Sequence, residues 1–387
     1  MSPEVPPQSS INAIGMSRRV ADTTPDWRIW SLLVAAGAIP WSLLWDFSWE
    51  CTVGIDLPLG APHLATYAAV GLAALIALST ARFNSRSGIT IGRLNAPAGA
   101  WVIIWGAAAF VISVIFDRWW QRSYGLAAGI WHPPQLLKAA AFVAILLGIW
   151  IYSARLLDTF SKARVDALIA GSLLAFAGIV TIAASLPNRQ HSAGFYQIAC
   201  GVYPAWLVAT AAGARRRFAA TAAALAYTGI LASAVWLLPL IPGAPGVSPI
   251  YNARDHLMPP PFPLLLIAPA AVIDLLGIGR RSVRNTDISV SLFESVEAAL
   301  VFFIAFMFVQ WPFASFLLSP ASENWFFAGG GRHWPFFLKI DDAARRAFWK
   351  MPGDELTFGR GLTALVLALT SSTFGLLLGR WLRSIKR

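Results

Sequence analysis

The sequence has little charge for its length. Of its 387 residues only 13% are Asp, Glu, Lys or Arg, whereas 57% are hydrophobic, and the mean hydropathy is +0.61. Soluble globular domains carry about 25% charged residues. A chain with half that share cannot cover its apolar surface with groups that water solvates, which excludes a water-soluble globular protein. The scarcity of charge therefore predicts an integral membrane protein.

Cysteine is also scarce, and the first 26 residues contain little that is apolar. Cys51 and Cys200 are the two cysteines, too few for a disulfide framework. Cys200 lies within an apolar run, where a small packing residue is expected. Residues 1–26 contain Pro, Ser and Thr without the apolar core of a signal peptide. We expect 1–26 to form a disordered tail on the cytoplasmic side.

Long apolar runs, in contrast, are abundant. About 20 apolar residues in a helix cross a hydrocarbon layer of roughly 30 Å, and a helix satisfies its own backbone groups in lipid. The sequence therefore predicts an all-α, polytopic integral membrane helical bundle with about ten transmembrane helices. The ten runs are 27–45, 62–81, 97–116, 133–153, 167–186, 194–213, 218–240, 261–279, 298–318 and 361–382.

These runs also predict how the chain is divided. Most of the chain is expected to form consecutive helical hairpins, and one long loop separates these from the last helix. The expected segments are the tail (1–26), repeated helical hairpins (27–155), further transmembrane helices (156–318), an extracytoplasmic loop (319–360), and the last helix with a basic tail (361–387).

Basic residues are distributed unevenly between the two sides of this bundle. Nineteen of the 30 lie in the two tails and alternate loops, whereas the four short loops opposite hold five. Because cytoplasmic loops accumulate Lys and Arg, we expect an inner-membrane protein with both termini in the cytoplasm. The same rule accounts for the net charge of +11 without a nucleic-acid partner. All five histidines then fall on the non-cytoplasmic side: His63, His132, His191, His256 and His333.

Two of the outer loops share a spacing of polar residues, glycine and proline. With one inserted residue the two loops align along their length, which predicts a parallel internal repeat within the first four helices. The matched residues are Asp46 with Asp117, Glu50 with Gln121, Gly54 with Gly125, Pro62 with Pro134, and His63 with Gln135.

The first copy of this spacing predicts a metal site. Asp46 and Glu50 are four residues apart, so they share one face of a helical end. His63 opens the next helix just after Pro62, a residue favoured in the first turn. Two carboxylates close together repel each other unless a proton or a cation lies between them. The alternative is that the three are solvated loop residues that hold the hairpin together.

The same residues resemble a known family. Over residues about 40–150 the pattern is similar to that of a metal-binding membrane subunit of particulate methane and ammonia monooxygenases, the copper membrane monooxygenases. The resemblance implies a copper ion bound by one Asp and two His, partner subunits in the membrane, and oxidation of small molecules with dioxygen. The matching residues are Asp46, Ser48, Trp49, Glu50, Asp56, Pro62 and His63, and the spacing of the family's second ligand set recurs as Asp117, Gln121 and Gln135.

The departures from the family pattern bear on the metal. Glu50 stands where the family has a histidine, and a carboxylate is a harder ligand than an imidazole. One His with two carboxylates suits zinc, manganese or iron at least as well as copper, so copper, zinc, iron and no metal all stay open. In the second copy both imidazoles are replaced by amides, Gln121 and Gln135, which predicts a degenerate site with Asp117.

Two later loops carry Arg-x-His pairs, Arg189 with His191 and Arg254 with His256. At a helix mouth such a pair would hold an anionic headgroup or pair with Asp46 or Glu50, and we regard these four residues as accessory candidates. We expect the longest outer loop, 319–360, to contain a short amphipathic element that lies in the membrane interface, or to be a docking surface for a partner subunit. The expected partners of the chain are other membrane subunits or a second copy of itself.

Three alternatives to a catalytic monooxygenase component remain open from the sequence. The first is a structural or assembly subunit with a decayed metal site. The second is a polytopic glycosyltransferase that uses a lipid-linked sugar, since such enzymes have an acidic pair in the first outer loop. The third is a transporter, which the internal repeat fits, although the sequence shows neither a mid-membrane acid or base nor an evident break in a helix.

Overall fold

A computed structural model of the chain describes residues 27–54, 59–83, 88–125, 131–154, 159–214, 216–243, 255–281, 288–329 and 353–385. The tail 1–26 and most of the loop 319–360 lie outside these ranges, as do Asp56, Arg254 and His333. The expectations for those residues stay predictions.

The described chain is almost entirely helical. Eight of its helical stretches are long and apolar enough to cross a membrane, which confirms the predicted all-α polytopic bundle. The helices are α1 (Trp27–Thr52), α2 (Ala61–Ser79), α3 (Ala98–Tyr124), α4 (Pro133–Ser153), α5 (Thr159–Val180), α6 (Ala193–Gly213), α7 (Ala219–Leu237), α8 (Ile267–Leu276), α9 (Ile288–Leu317) and α10 (Phe358–Ser384).

A small antiparallel sheet connects α2 to α3. Its strands are β1 (Arg82–Phe83), β2 (Ile89–Ile91) and β3 (Leu94–Ala96), in the order β1-β3-β2. The bundle therefore has two different ends. We call the end where α1 meets α2, and α3 meets α4, the Asp46 end, and the end that carries this sheet the opposite end.

Glycines allow two helix pairs to pack closely. On α3, a β-carbon at Gly99 would lie 2.4 Å from the backbone nitrogen of Tyr152 in α4. On α10, a β-carbon at Gly375 would lie 2.5 Å from the carbonyl oxygen of Ala205 in α6. Lipid supplies no hydrophobic drive for helix association, so close van der Waals packing of this kind stabilises the bundle.

The eighth predicted span is not the continuous helix that the apolar run 261–279 indicated. Residues 257–265 are mostly buried and have no helical structure, and the helix that follows, α8, covers only Ile267–Leu276. The reason is proline, which removes a backbone donor and clashes within a helix. Four of these nine residues are prolines, and we call 257–265 the proline-rich segment.

Side chains from three helices satisfy the backbone of the proline-rich segment. The N–H of Met258 donates to the Thr52 hydroxyl at 2.8 Å, and the Ser48 hydroxyl donates to the Met258 carbonyl. The N–H of Leu264 donates to the Tyr227 hydroxyl at 3.1 Å. A further bond from the Leu265 N–H to Gln310 Oε1 measures 2.9 Å. Non-helical backbone at membrane depth is tolerated where protein surrounds it in this way.

Buried carboxylates at the opposite end have structural partners. Asp274 of α8 accepts hydrogen bonds from the backbone N–H and the hydroxyl of Thr221, both at 2.8 Å, at the start of α7. Glu294 of α9 is fully buried and accepts from the N–H groups of Gly279 and Arg281, just after α8. These bonds fix both the start of α7 and the end of α8.

Removing the acceptor of the Leu265 N–H should destabilise the bundle. Gln310→Leu leaves that buried donor without its acceptor and also removes the donor to Gln190 Oε1, 2.7 Å away. A buried unsatisfied group costs about 1–3 kcal/mol, so we expect a lower apparent Tm in detergent. Phe308→Leu on the same helix is the control, because Phe308 is 79% exposed. Equal Tm values for the two variants would contradict this role of Gln310.

Candidate metal centre

The α1–α2 hairpin brings together two of the three predicted ligands. Asp46 lies in the last two turns of α1, and His63 is the third residue of α2, with Pro62 before it. Asp46 Oδ1 and His63 Nε2 are 3.5 Å apart, with 19% and 29% of the two side chains exposed. The imidazole stacks on the ring of Tyr67, one turn later, at 6.2 Å between centroids. Tyr67 therefore helps to orient His63 toward Asp46.

The third predicted ligand, Glu50, lies one turn beyond Asp46 and is exposed. Within the described ranges there is no group of three His, Cys, Asp or Glu side chains placed to hold a metal ion. The structure thus forms an Asp46–His63 pair with Glu50 beside it.

The α3–α4 hairpin brings the second predicted set together. Gln121 Nε2 and Gln135 Nε2 lie 3.2 Å and 3.3 Å from the same oxygen, Oδ2 of Asp117. The ammonium group of Lys138 lies 3.6 Å from this oxygen as well. Three donors from two helices therefore converge on one carboxylate oxygen, at a place equivalent to the Asp46–His63 pair.

Lys138 is the residue that reasoning from the sequence missed. His63 and Gln135 are each the third residue of their helices, and Thr66 and Lys138 are each the sixth. Extending the alignment of the two loops by three residues beyond Gln135 would have found the lysine. Thr66 instead is buried and donates its hydroxyl to Ser42 Oγ at 2.9 Å.

Three of the four accessory candidates lie at the same end among the described residues, and the two histidines have contacts of their own. His191 is buried, its Nε2 is 3.1 Å from the Ser315 hydroxyl, and its ring meets Trp311 edge to face at 4.7 Å. His256 Nδ1 is 2.7 Å from Asp255 Oδ1. Arg189 is exposed, and Arg254 lies outside the described residues.

Buried polar groups surround His191. The amide of the neighbouring Gln190 donates to the Ser185 carbonyl at 2.8 Å and accepts from Gln310 at 2.7 Å. Burial lowers the pKa of His191, although a hydrogen bond with the backbone of Trp311 opposes that shift. The imidazole is therefore held in its neutral form more firmly than an exposed histidine.

Neither a protein-family model, nor a curated protein, nor a solved structure matches this chain. The geometry of the described residues is therefore the basis on which a function can be assigned.

Acid should destabilise the protein through His191. Since burial lowers its pKa in the folded state, the unfolded chain binds more protons, and the free energy of unfolding falls as the pH drops below about 6.5. His191→Gln keeps a polar group beside Ser315 and does not titrate. We expect its apparent Tm to decline less than that of the wild type between about pH 7.5 and about pH 5. Parallel declines would contradict the assignment, and His256→Gln is the control.

Proposed function

We propose that this chain is an integral membrane, metal-binding component similar to the metal-binding membrane subunit of the copper membrane monooxygenases. Asp46 and His63 hold one transition-metal ion at the Asp46 end, and this end faces the non-cytoplasmic side. The observation that carries the proposal is the approach of Asp46 Oδ1 to within 3.5 Å of His63 Nε2 across two helices.

The distance between these two atoms is close to what a shared ion requires. Oxygen and nitrogen ligands bind zinc at about 2.0–2.2 Å, and two ligands of one tetrahedral ion are then separated by roughly 3.4 Å. A carboxylate and an imidazole are ligands of zinc, iron and copper alike. Glu50 would add a second carboxylate, and water would fill the remaining positions. With both carboxylates bound, the set is harder than that of the copper family.

Two versions of this function differ in what the bound metal does. In the catalytic version it supplies redox chemistry with dioxygen, while Asp46 and Glu50 set the charge of the site and partner subunits complete the enzyme. In the structural version the ion ties the end of α1 to the start of α2 and stabilises a surface for assembly. Proteins that co-purify in mild detergent, and oxidation of a small substrate by that complex, separate the two versions.

Metal content tests the shared part of the proposal. Wild-type protein purified in mild detergent should retain one ion per chain, whereas Asp46→Asn and His63→Ala should lose it, as measured by elemental analysis. After a chelator has removed the retained ion, added metal should raise the Tm of the wild type alone, because a ligand at 100 times its Kd stabilises the folded state by about 2.7 kcal/mol. His256→Ala is the control outside the pair. The proposal fails when wild type and both variants hold the same amount of metal, zero included.

One observation favours a second candidate function, a transporter. Discontinuous membrane segments form substrate sites in many carriers, and the proline-rich segment followed by the short α8 is such a segment. A small cavity beside it is lined by Ser185, Tyr203, Tyr227, Pro260 and Pro261, among others. Asp274 is the buried acid of α8. It already has a structural role, because it accepts a hydrogen bond from the backbone N–H of Thr221 at the start of α7.

Uptake into vesicles tests this second function. Proteoliposomes that contain a metal-sensitive dye should respond to external Zn²⁺ or Mn²⁺ faster than protein-free liposomes. Gln310→Leu should slow the response, because Gln310 holds the backbone of the proline-rich segment. Phe308→Leu, which changes a lipid-exposed residue on the same helix, should leave the rate unchanged. Influx no faster than in protein-free liposomes would exclude transport of these ions.

A further inference from the structure

We infer that the α3–α4 hairpin contains a second cation pocket, which the chain fills with its own ammonium group, that of Lys138. The pocket consists of Asp117, Gln121 and Gln135. The inference rests on the proposed function in one respect: it takes the Asp46–His63 pair to be the equivalent site, at which the bound cation is an exchangeable metal ion.

The donors of this pocket converge on one oxygen atom. Both glutamine amides and the lysine ammonium approach Oδ2 of Asp117, at 3.2, 3.3 and 3.6 Å. Gln121 lies on the same helix as Asp117, one turn later, while Gln135 and Lys138 lie on α4. Side chains from two helices therefore converge on one carboxylate, and the ammonium group of Lys138 is the cation among them.

The charge of Asp117 explains why the lysine is there. The Asp117 side chain is only 16% exposed, and a partly buried carboxylate needs a positive partner. The two amides are neutral and cannot supply that charge, whereas the ammonium of Lys138 can. At the first pocket the sixth residue of the helix is Thr66, so no lysine stands at the place equivalent to that of Lys138.

The amides determine which ion would replace the lysine. An amide can turn so that its oxygen, instead of its nitrogen, faces the site. Asp117 with two amide oxygens is then an all-oxygen set, which suits hard divalent cations such as Ca²⁺ and Mn²⁺. The imidazole of the first pocket favours borderline metals. The chain therefore has one exchangeable site, and Lys138 closes the other.

The test uses a chain that lacks the first pocket. In the background Asp46→Asn/His63→Ala, the added change Lys138→Met removes the ammonium group but keeps an unbranched side chain. We expect a lower Tm, recovery of that Tm with millimolar Mn²⁺ or Ca²⁺, and Mn²⁺ binding visible as loss of the free-ion signal in electron paramagnetic resonance. The apparent affinity for Mn²⁺ should rise about tenfold or more over the background, because groups adjacent to metal ligands change metal affinity by about 10–100-fold and this change removes a competing positive charge.

Two matched variants make the result decisive. Adding Asp117→Asn to Lys138→Met removes the carboxylate, so this chain should fold without added cation and should not bind Mn²⁺. Lys138→Arg keeps the charge and should behave like the background. If Lys138→Met folds only when Mn²⁺ is present during purification, whereas the Asp117→Asn/Lys138→Met chain folds without it, the inference is supported as well.

The inference is overturned if Lys138→Met is as stable as the background and binds no more Mn²⁺, or if Asp117→Asn/Lys138→Met responds to Mn²⁺ equally well. Because the background lacks Asp46 and His63, neither result depends on metal binding at the first pocket. Metal analysis of the chain that retains Asp46 and His63 measures that property separately.

Discussion

The hydrocarbon layer contains no water, so every backbone N–H and C=O inside it has to find its partner within the protein. Helices meet this constraint on their own, which is why the chain is a bundle. The proline-rich segment cannot meet it alone and takes partners from α1, α7 and α9, namely Thr52, Tyr227 and Gln310. These bonds hold the three helices around the proline-rich segment.

The same constraint determines where the candidate metal centre lies. Ser48 and Thr52 bind Met258, and Asp46 and Glu50 lie on the same two turns of α1. The end of α1 is therefore anchored to the proline-rich segment on one face and carries the carboxylates on the opposite face, because residues two apart in a helix are separated by about 200°. A carboxylate that is held in place in this way can meet His63 at a defined distance, which a loose loop would not provide.

The two hairpins show one scaffold with two arrangements of charge. In each, a carboxylate on the first helix meets the third residue of the second helix. The α1–α2 hairpin combines Asp46 with a histidine, His63. The α3–α4 hairpin combines Asp117 with a glutamine and with Lys138, whose charge belongs to the chain itself. The two copies of the internal repeat therefore share the placement of their polar side chains but differ in the chemical groups that those side chains carry.

The sequence by itself determined the helices. The length of an apolar run and its lack of charge are local properties, and they decide whether a segment is stable as a helix in the bilayer. It also placed His63 and Gln135 at helix starts, through the prolines before them. Only the tertiary structure decided which groups meet: Ser48 and Met258 are 210 residues apart, Glu50 turns to solvent, and Lys138 reaches Asp117. Such contacts depend on how the helices are rotated and packed against one another. The periodicity of the sequence does not specify the rotation of one helix relative to another.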